Sequence, residues 1–275
     1  ALKAEILPKV AAGELKLALA LEESHRHHPY NIATSASSSA DGFVLSGKKT
    51  FVLDGHIADK LIVVARTSGE QHARAGLTLF IVDRDAPGVS VIRTIMADSR
   101  NAANVSLDNV AVSADAVIGS VDSGGDILDP ALDIARIGLA AEMLGGTLEC
   151  FERTIAYLKE RKQFGVAIGS FQALKHRAAN MFCEIELSKS CVLEALTALD
   201  EGRDATEVAK LASLAKAKVG ETYNLVSREG IQMHGGIGMT DAFDVGFFIK
   251  RARVAQMLFG DCRYHLNKFA EYSGY

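Results

Sequence analysis

Two hydrophobic rhythms divide this chain. Over about the first 120 residues, apolar runs are short, rich in β-branched side chains and bounded by turn residues. They lie at 42–47 and 50–55, each flanked by glycine, and at 61–65, 77–82, 89–95 and 104–107. Runs of this length, with no helix-length segments between them, predict strands gathered into a small barrel or sandwich rather than βαβ units. After the Gly/Ser/Asp loop 120–125 the period changes. Leu132, Leu139, Met143, Leu148, Phe151, Ile155 and Leu158 recur at helical spacing. So do Phe171, Leu174, Ala178, Met181, Ile185, Val192 and Leu199, and then Val208, Leu211, Ala215, Val219 and Tyr223. A further helix is expected from Asp241 or Ala242. Gly202 separates the second helix from the third, and the glycines at 235, 236 and 238 separate the third from the fourth. Long helices with short links predict an antiparallel four-helix bundle. The expected fold class is α+β, with a β-domain over 1–124 and a helical domain over 125–275.

A net charge of −4 with no long basic block argues against a nucleic-acid or anionic-membrane surface. The apolar stretch 134–150 is interrupted by Arg136 and Glu142, so no segment reads as a membrane span. Cys150, Cys183, Cys191 and Cys262 form no C-x-x-C pair and read as small buried residues, which fits a reducing, cytoplasmic setting.

Two stretches carry candidate chemistry. The first is R-x-Q-F-G: Arg161, Gln163, Phe164 and Gly165. An Arg fork suits a diphosphate, a Gln amide bonds ribose or phosphate oxygens, and an aromatic covers a ring edge. Arg and Gln near a helix end also serve as caps. The second is Q-x-x-G-G-x-G: Gln232, Gly235, Gly236 and Gly238. Such glycines let backbone N–H groups approach a pyrophosphate, or they simply end a helix. No strand precedes them, so this is not the dinucleotide fingerprint.

These two stretches, about seventy residues apart in a β-region-then-bundle order, resemble the acyl-CoA dehydrogenase family over nearly the whole chain. The resemblance implies FAD as cofactor and an acyl-CoA thioester as substrate. It assigns Arg161, Gln163, Phe164, Gln232, Gly235 and Gly236 to the ADP half of a flavin held mainly by a neighbouring subunit. His176 matches a family histidine and is expected to pack rather than to catalyse. Family members carry an N-terminal helical domain with no counterpart here; the sequence starts at Ala1, and 1–21 is expected to join that domain's tail to the first strand.

The departures fall elsewhere. The family's carboxylate base, which takes the α-proton as hydride leaves the β-carbon, corresponds to Phe259 or, in its other location, to Ala135. Asp261 is the weak substitute nearby. On the flavin-ring side, a family loop survives only as Glu22 and Thr34, its other positions being Leu21, Glu23, Arg26, His27 and His28. In the next strand, Leu53 replaces a hydroxyl and Phe51 an aromatic. His25, Arg26, His27 and His28 lack a carboxylate in their run and read as solvated rather than as a metal site.

The matched motifs would serve a neighbour's flavin and the mismatched ones the chain's own. That pattern resembles the non-catalytic subunit of the α2β2 acyl-CoA dehydrogenases of actinobacterial steroid and lipid catabolism. Three other readings stay open. One is a self-sufficient homotetrameric enzyme with Asp261 as base. Another is a flavin-free interaction subunit. The last is a flavin monooxygenase or N-oxygenase of the same superfamily, which Leu21 and Leu53 argue against.

Overall fold

A computed structural model describes residues 2–275. The two rhythms become two compact units, one ending at Asp129 and the other starting at Pro130. The first unit opens with helix α1 (Leu2–Ala11) and strands β1 (Leu17–Ala20), β2 (Ser35–Ser39), β3 (Gly42–Leu53) and β4 (Lys60–Arg66). It continues through β5 (Leu77–Asp83), β6 (Val89–Ile95), β7 (Asn101–Ser113) and β8 (Val117–Ile118). Among the described residues these form one mixed sheet of eight strands, ordered β6-β7-β3-β2-β4-β5-β8, with β1 beside β4. The expected barrel or sandwich is therefore corrected to an open sheet. Antiparallel neighbours join β2, β3, β7 and β6 on one side and β4, β5 and β8 on the other, while β1 and β2 meet β4 in parallel. Among the described residues no strand returns to close β6 onto β8.

The apolar core of this unit includes Leu45, Leu61, Val63, Phe80, Val82, Val105 and Leu107. The runs 42–47 and 50–55 are one long strand, β3, rather than two. Its register against β7 slips between Lys49 and Val52, the signature of a β-bulge. At the bulge Phe51 takes a left-handed backbone, φ 58°, and is left exposed, while Lys49 points inward and is fully buried.

Helix α2 (Gly124–Glu160) starts in the first unit and runs through the second. A two-strand ribbon, β9 (Lys162–Gln163) and β10 (Val166–Ala167), leads to α3 (Gln172–Asp200), α4 (Ala205–His234), α5 (Val245–Met257) and α6 (Cys262–Tyr272). Residue pairings give the directions. Gly146 lies against Tyr223, Cys150 against Val226 and Tyr157 against His234, so α2 and α4 run parallel. Arg177 meets Glu229 and Ser188 meets Thr222, so α3 runs antiparallel to α4. Gly230 meets Val245, Gly220 meets Gln256, and Ser213 meets His265. The fourth helix is thus present, but broken into α5 and α6, both antiparallel to α4. Cys150, Leu158, Met181, Ile185, Val226, Met233 and Val245 knit α2 to α5 together. No helix among the described residues is long and apolar enough to cross a membrane.

The cysteines divide. Cys150 is buried, which pushes its thiol up to about 12, but Cys183 is exposed and Cys191 and Cys262 are half-buried. The expectation of four buried residues fails because α3 and α6 are covered on one face only. His176 also lies exposed in the second turn of α3 rather than packed.

Candidate functional site

R-x-Q-F-G is a hairpin rather than a helix cap. Gln163 pairs with Val166 across a two-residue turn in which Phe164 and Gly165 both have positive φ, 55° and 82°. This is the primed-turn geometry that matches strand twist. The turn puts Phe164 at its tip, 91% exposed. Its ring makes an edge contact with Phe171, 6.1 Å between centroids. Arg161 and Gln163 are also exposed. Gln163 Nε2 donates to the Lys162 carbonyl at 2.9 Å. The Arg161 guanidinium has no hydrogen-bond or ion-pair partner among the described residues.

The second stretch begins in α4. Gln232 is exposed and its carbonyl accepts the Gly235 N–H that caps the helix, with Gly235 at φ 65°. A 3-10 turn, Gly235–Met239, follows. Gly236 has no left-handed φ, and a Cβ built on it meets nothing within 4 Å. Neither strain nor crowding within the chain asks for glycine there; the space above it is open to a close approach from outside.

Because α2 and α4 run parallel, their C-terminal ends, and so both motifs, emerge at the same end of the bundle. Tyr157 and His234 fix this register. Their rings stack at 4.3 Å, Tyr157 Oη donates to the His234 carbonyl at 3.3 Å, and His234 Nδ1 donates to the Gly230 carbonyl at 2.7 Å. Neither residue was given a role from sequence, although Tyr157 stands four positions before Arg161 and His234 lies within the second motif. Two helix C-termini carry negative partial charge, so an anion bound here depends on Arg161 and on the N–H groups of the glycine turn. That donor set fits the diphosphate and adenosine of a dinucleotide.

Of the two positions expected to bear a base, one lies at the α5–α6 break and the other on α2. Phe259 is half-buried and left-handed, φ 56°, and Ala135 is half-buried on α2. Asp261 Oδ1 accepts the Tyr264 N–H at 2.8 Å, capping α6. Its carboxylate is engaged by a helix N-terminus. Packed around the break are Arg136 and Lys216, both buried; the sequence marked Arg136 only as a break in an apolar stretch and as the residue after Ala135, and did not single out Lys216.

The loop 21–34 is closed on itself. Lys49 Nζ donates to Glu23 Oε1 at 2.7 Å and to the Leu21 carbonyl at 3.1 Å. Burial pushes Lys49 down to about 8, against the opposing pull of Glu23. Burial works to raise the Glu23 carboxyl, but Lys49 and the Ala33 N–H outweigh it, so it titrates below its ordinary value. His27 was expected in solvent and is instead buried, its Nδ1 against Glu22. The carboxylate it needed came from five residues upstream. His25 and His28 are exposed. Among the described residues no group of three or more His, Cys, Asp and Glu could hold a metal ion. Thr34 is buried, its N–H donating to Glu23 Oε1 at 3.0 Å, and Leu53 is half-buried.

Comparison with known proteins follows the same outline. The family model "acyl-CoA dehydrogenase, middle domain" matches residues 18–110, and "acyl-CoA dehydrogenase, C-terminal domain" matches 122–273. The mitochondrial short/branched chain specific acyl-CoA dehydrogenase of Bos taurus is 30% identical over 272 residues, covering 98% of this chain and 62% of that one. The caffeyl-CoA reductase-Etf complex subunit CarC of Acetobacterium woodii is 31% identical over 261 residues, covering 94% and 65%. The chain thus spans less than two thirds of either relative. The crystal structure of an acyl-CoA dehydrogenase from Geobacillus kaustophilus superposes with a TM-score of 0.93 at 26% identity, covering 99% of this chain and 72% of that one. With both family models matched in order, the chain belongs to the acyl-CoA dehydrogenase family.

Proposed function

We propose that this chain is a flavoprotein subunit that supplies the ADP-side contacts of FAD to a homologous partner carrying the base, for dehydrogenation of an acyl-CoA. The observation that carries the reading is the contrast in partners. Arg161, Gln163, Phe164 and Gly236 face outward, with Arg161 unpaired among the described residues, while the base positions hold Phe259 and Ala135. When bound, the flavin supplies the acceptor for hydrogen removed across a Cα–Cβ bond. Arg161 would pair with its diphosphate, Gln163 would bond neighbouring oxygens, Phe164 would cover a ring edge, and the turn at Gly235–Gly236 would bring backbone N–H groups close. The proton-abstracting carboxylate comes from the partner, because this chain offers none at either position.

Purification of the chain alone and then with a homologous chain encoded beside it, read by native mass spectrometry and flavin absorbance, tests the assignment. The expected result is a colourless chain alone and a yellow α2β2 tetramer with about one FAD per two chains. One FAD on every chain of a homotetramer would overturn it. The rival, a self-sufficient homotetramer with Asp261 as base, is disfavoured by the capping bond of that carboxylate. Asp261→Asn leaves turnover unchanged on the heteromeric reading and abolishes it on the rival one. Steroid or fatty-acyl substrates and a cytoplasmic setting belong to this proposal as its biological context.

A further inference from the structure

Glu23 cross-links the two ends of the loop 21–34. Its carboxylate reaches ten and eleven residues ahead, Oε2 accepting the Ala33 N–H at 2.7 Å and Oε1 the Thr34 N–H at 3.0 Å. Lys49 Nζ, from β3, donates to Oε1 at 2.7 Å. Two oxygens thus face two consecutive N–H groups, with one ammonium alongside. This frame has holds of its own. The Thr34 carbonyl accepts the Arg66 N–H of β4 at 2.8 Å. Gly47 of β3 leaves room for Thr34, since a Cβ there would lie 2.7 Å from the Thr34 Cα. Arg66 also grips the loop just before, donating from Nε to the Ile32 carbonyl at 3.2 Å and from Nη2 to the Tyr30 carbonyl at 3.0 Å. Lys49 donates a second time, to the Leu21 carbonyl at 3.1 Å. The pocket is dry: Lys49 is fully buried, Thr34 is 1% exposed and the Glu23 side chain 13%.

We propose that Lys49 and the N–H groups of Ala33 and Thr34 form a carboxylate-binding site, that Glu23 is its resident ligand, and that a free aliphatic carboxylate takes the site when the Glu23 side chain is cut back. A buried ammonium without a counter-ion is costly, so the emptied site favours an anion over water. Shape selects a carboxylate. Chloride, a single sphere, leaves one of the two N–H groups unmet, and a neutral amide brings no charge to Lys49. Length selects among carboxylates. Alanine at 23 keeps Cβ, so the two carbons of acetate replace Cγ and the carboxyl carbon. Glycine gives up Cβ as well, and the three carbons of propionate then match. The site lies wholly within this chain and needs neither flavin nor partner, so its failure and that of the half-site reading are separable.

The test is urea unfolding of Glu23→Ala and Glu23→Gly in acetate, propionate, acetamide or chloride at matched concentration, the salts at equal ionic strength. Acetate at about 0.2 M is expected to raise the folding constant of Glu23→Ala about tenfold over chloride, because it binds the folded state alone. Propionate does less there, and the order of the two reverses in Glu23→Gly. The wild type shows no such preference, its site being filled, and neither does Glu23→Gln, whose amide fills the space without the charge. A gain in Glu23→Ala that acetamide or the wild type matches is a bulk solvent effect and overturns the proposal. The same order of acetate and propionate in both shortened variants also overturns it. If Glu23→Ala is unfolded in chloride, its circular dichroism gives the answer. Recovery in acetate but not in acetamide supports the site, and recovery in neither overturns it.

Discussion

The hairpin end of the bundle and the buried loop of the sheet use the same residue types in opposite ways. Arg161 on the hairpin has no partner among the described residues, and Phe164 beside it projects into solvent. Lys49 under the loop 21–34 is wholly buried, with its ammonium divided between Glu23 and a backbone carbonyl. A cation already satisfied within its chain is committed to stability. A cation without a partner among the described residues, an exposed aromatic and an open glycine at one end of the bundle are available for recognition. The two regions should therefore respond to substitution on different axes.

The largest effect is expected at the loop. Lys49→Ala strips a buried carboxylate of its counter-charge and should cost about 3 kcal/mol in a urea unfolding midpoint. An effect below about 0.5 kcal/mol would mean the loop is not closed by this pair. Next is Gly260→Ala, which combines a left-handed φ of 111° with a methyl pressed onto Tyr264. A loss of about 2 kcal/mol by the same measurement is expected.

Lys216 gives a pH-dependent prediction. Its folded value, about 7, lies below its ordinary one, so between the two the unfolded chain binds more protons than the folded chain. Stability then rises with pH across that window. The wild type should gain on Lys216→Met by about 1.4 kcal/mol per pH unit, at most, from pH ~7.5 to ~9.5. Parallel stability curves for the two proteins would remove the claim. The smallest change in stability belongs to the other end of the molecule. Arg161→Ala and Gly236→Ala should each unfold within about 0.5 kcal/mol of the wild type. Both should nonetheless lower the flavin retained by the assembled complex. Intact flavin content in Arg161→Ala would turn the comparison against the half-site and toward a flavin-free interaction subunit.

Much of this was legible in the sequence because it is local or periodic. The helical rows of α2, α3 and α4, the break at Gly202 and the change of rhythm near residue 120 all follow from spacing along the chain. The spacing of the two glycine-bearing motifs was legible too, but not why they lie together, which needs the parallel course of α2 and α4. What sequence hides is burial of charge. Lys49 and Lys216 look like solvated residues until neighbours from distant segments close over them. One clue was available for Lys216. Ala212 and Gly220 stand one turn away on either side, small enough to let another helix approach and cover the lysine. His27 was misread for the same reason, since Glu22 reaches it only once the loop has folded back. The open sheet was misjudged because strand runs do not reveal that β1 and β2 join β4 in parallel.

The exposed phenylalanine at the hairpin tip has a consequence for the life of the chain in a cell. An unaccompanied copy displays Phe164 where quality-control machinery samples unfinished proteins, because an exposed aromatic beside further apolar surface reads as incomplete folding. Assembly then acts as a licence to persist. On the proposed heteromeric reading, copies made in excess of the partner would be held by chaperones or degraded, and the abundance of this chain would follow the partner's.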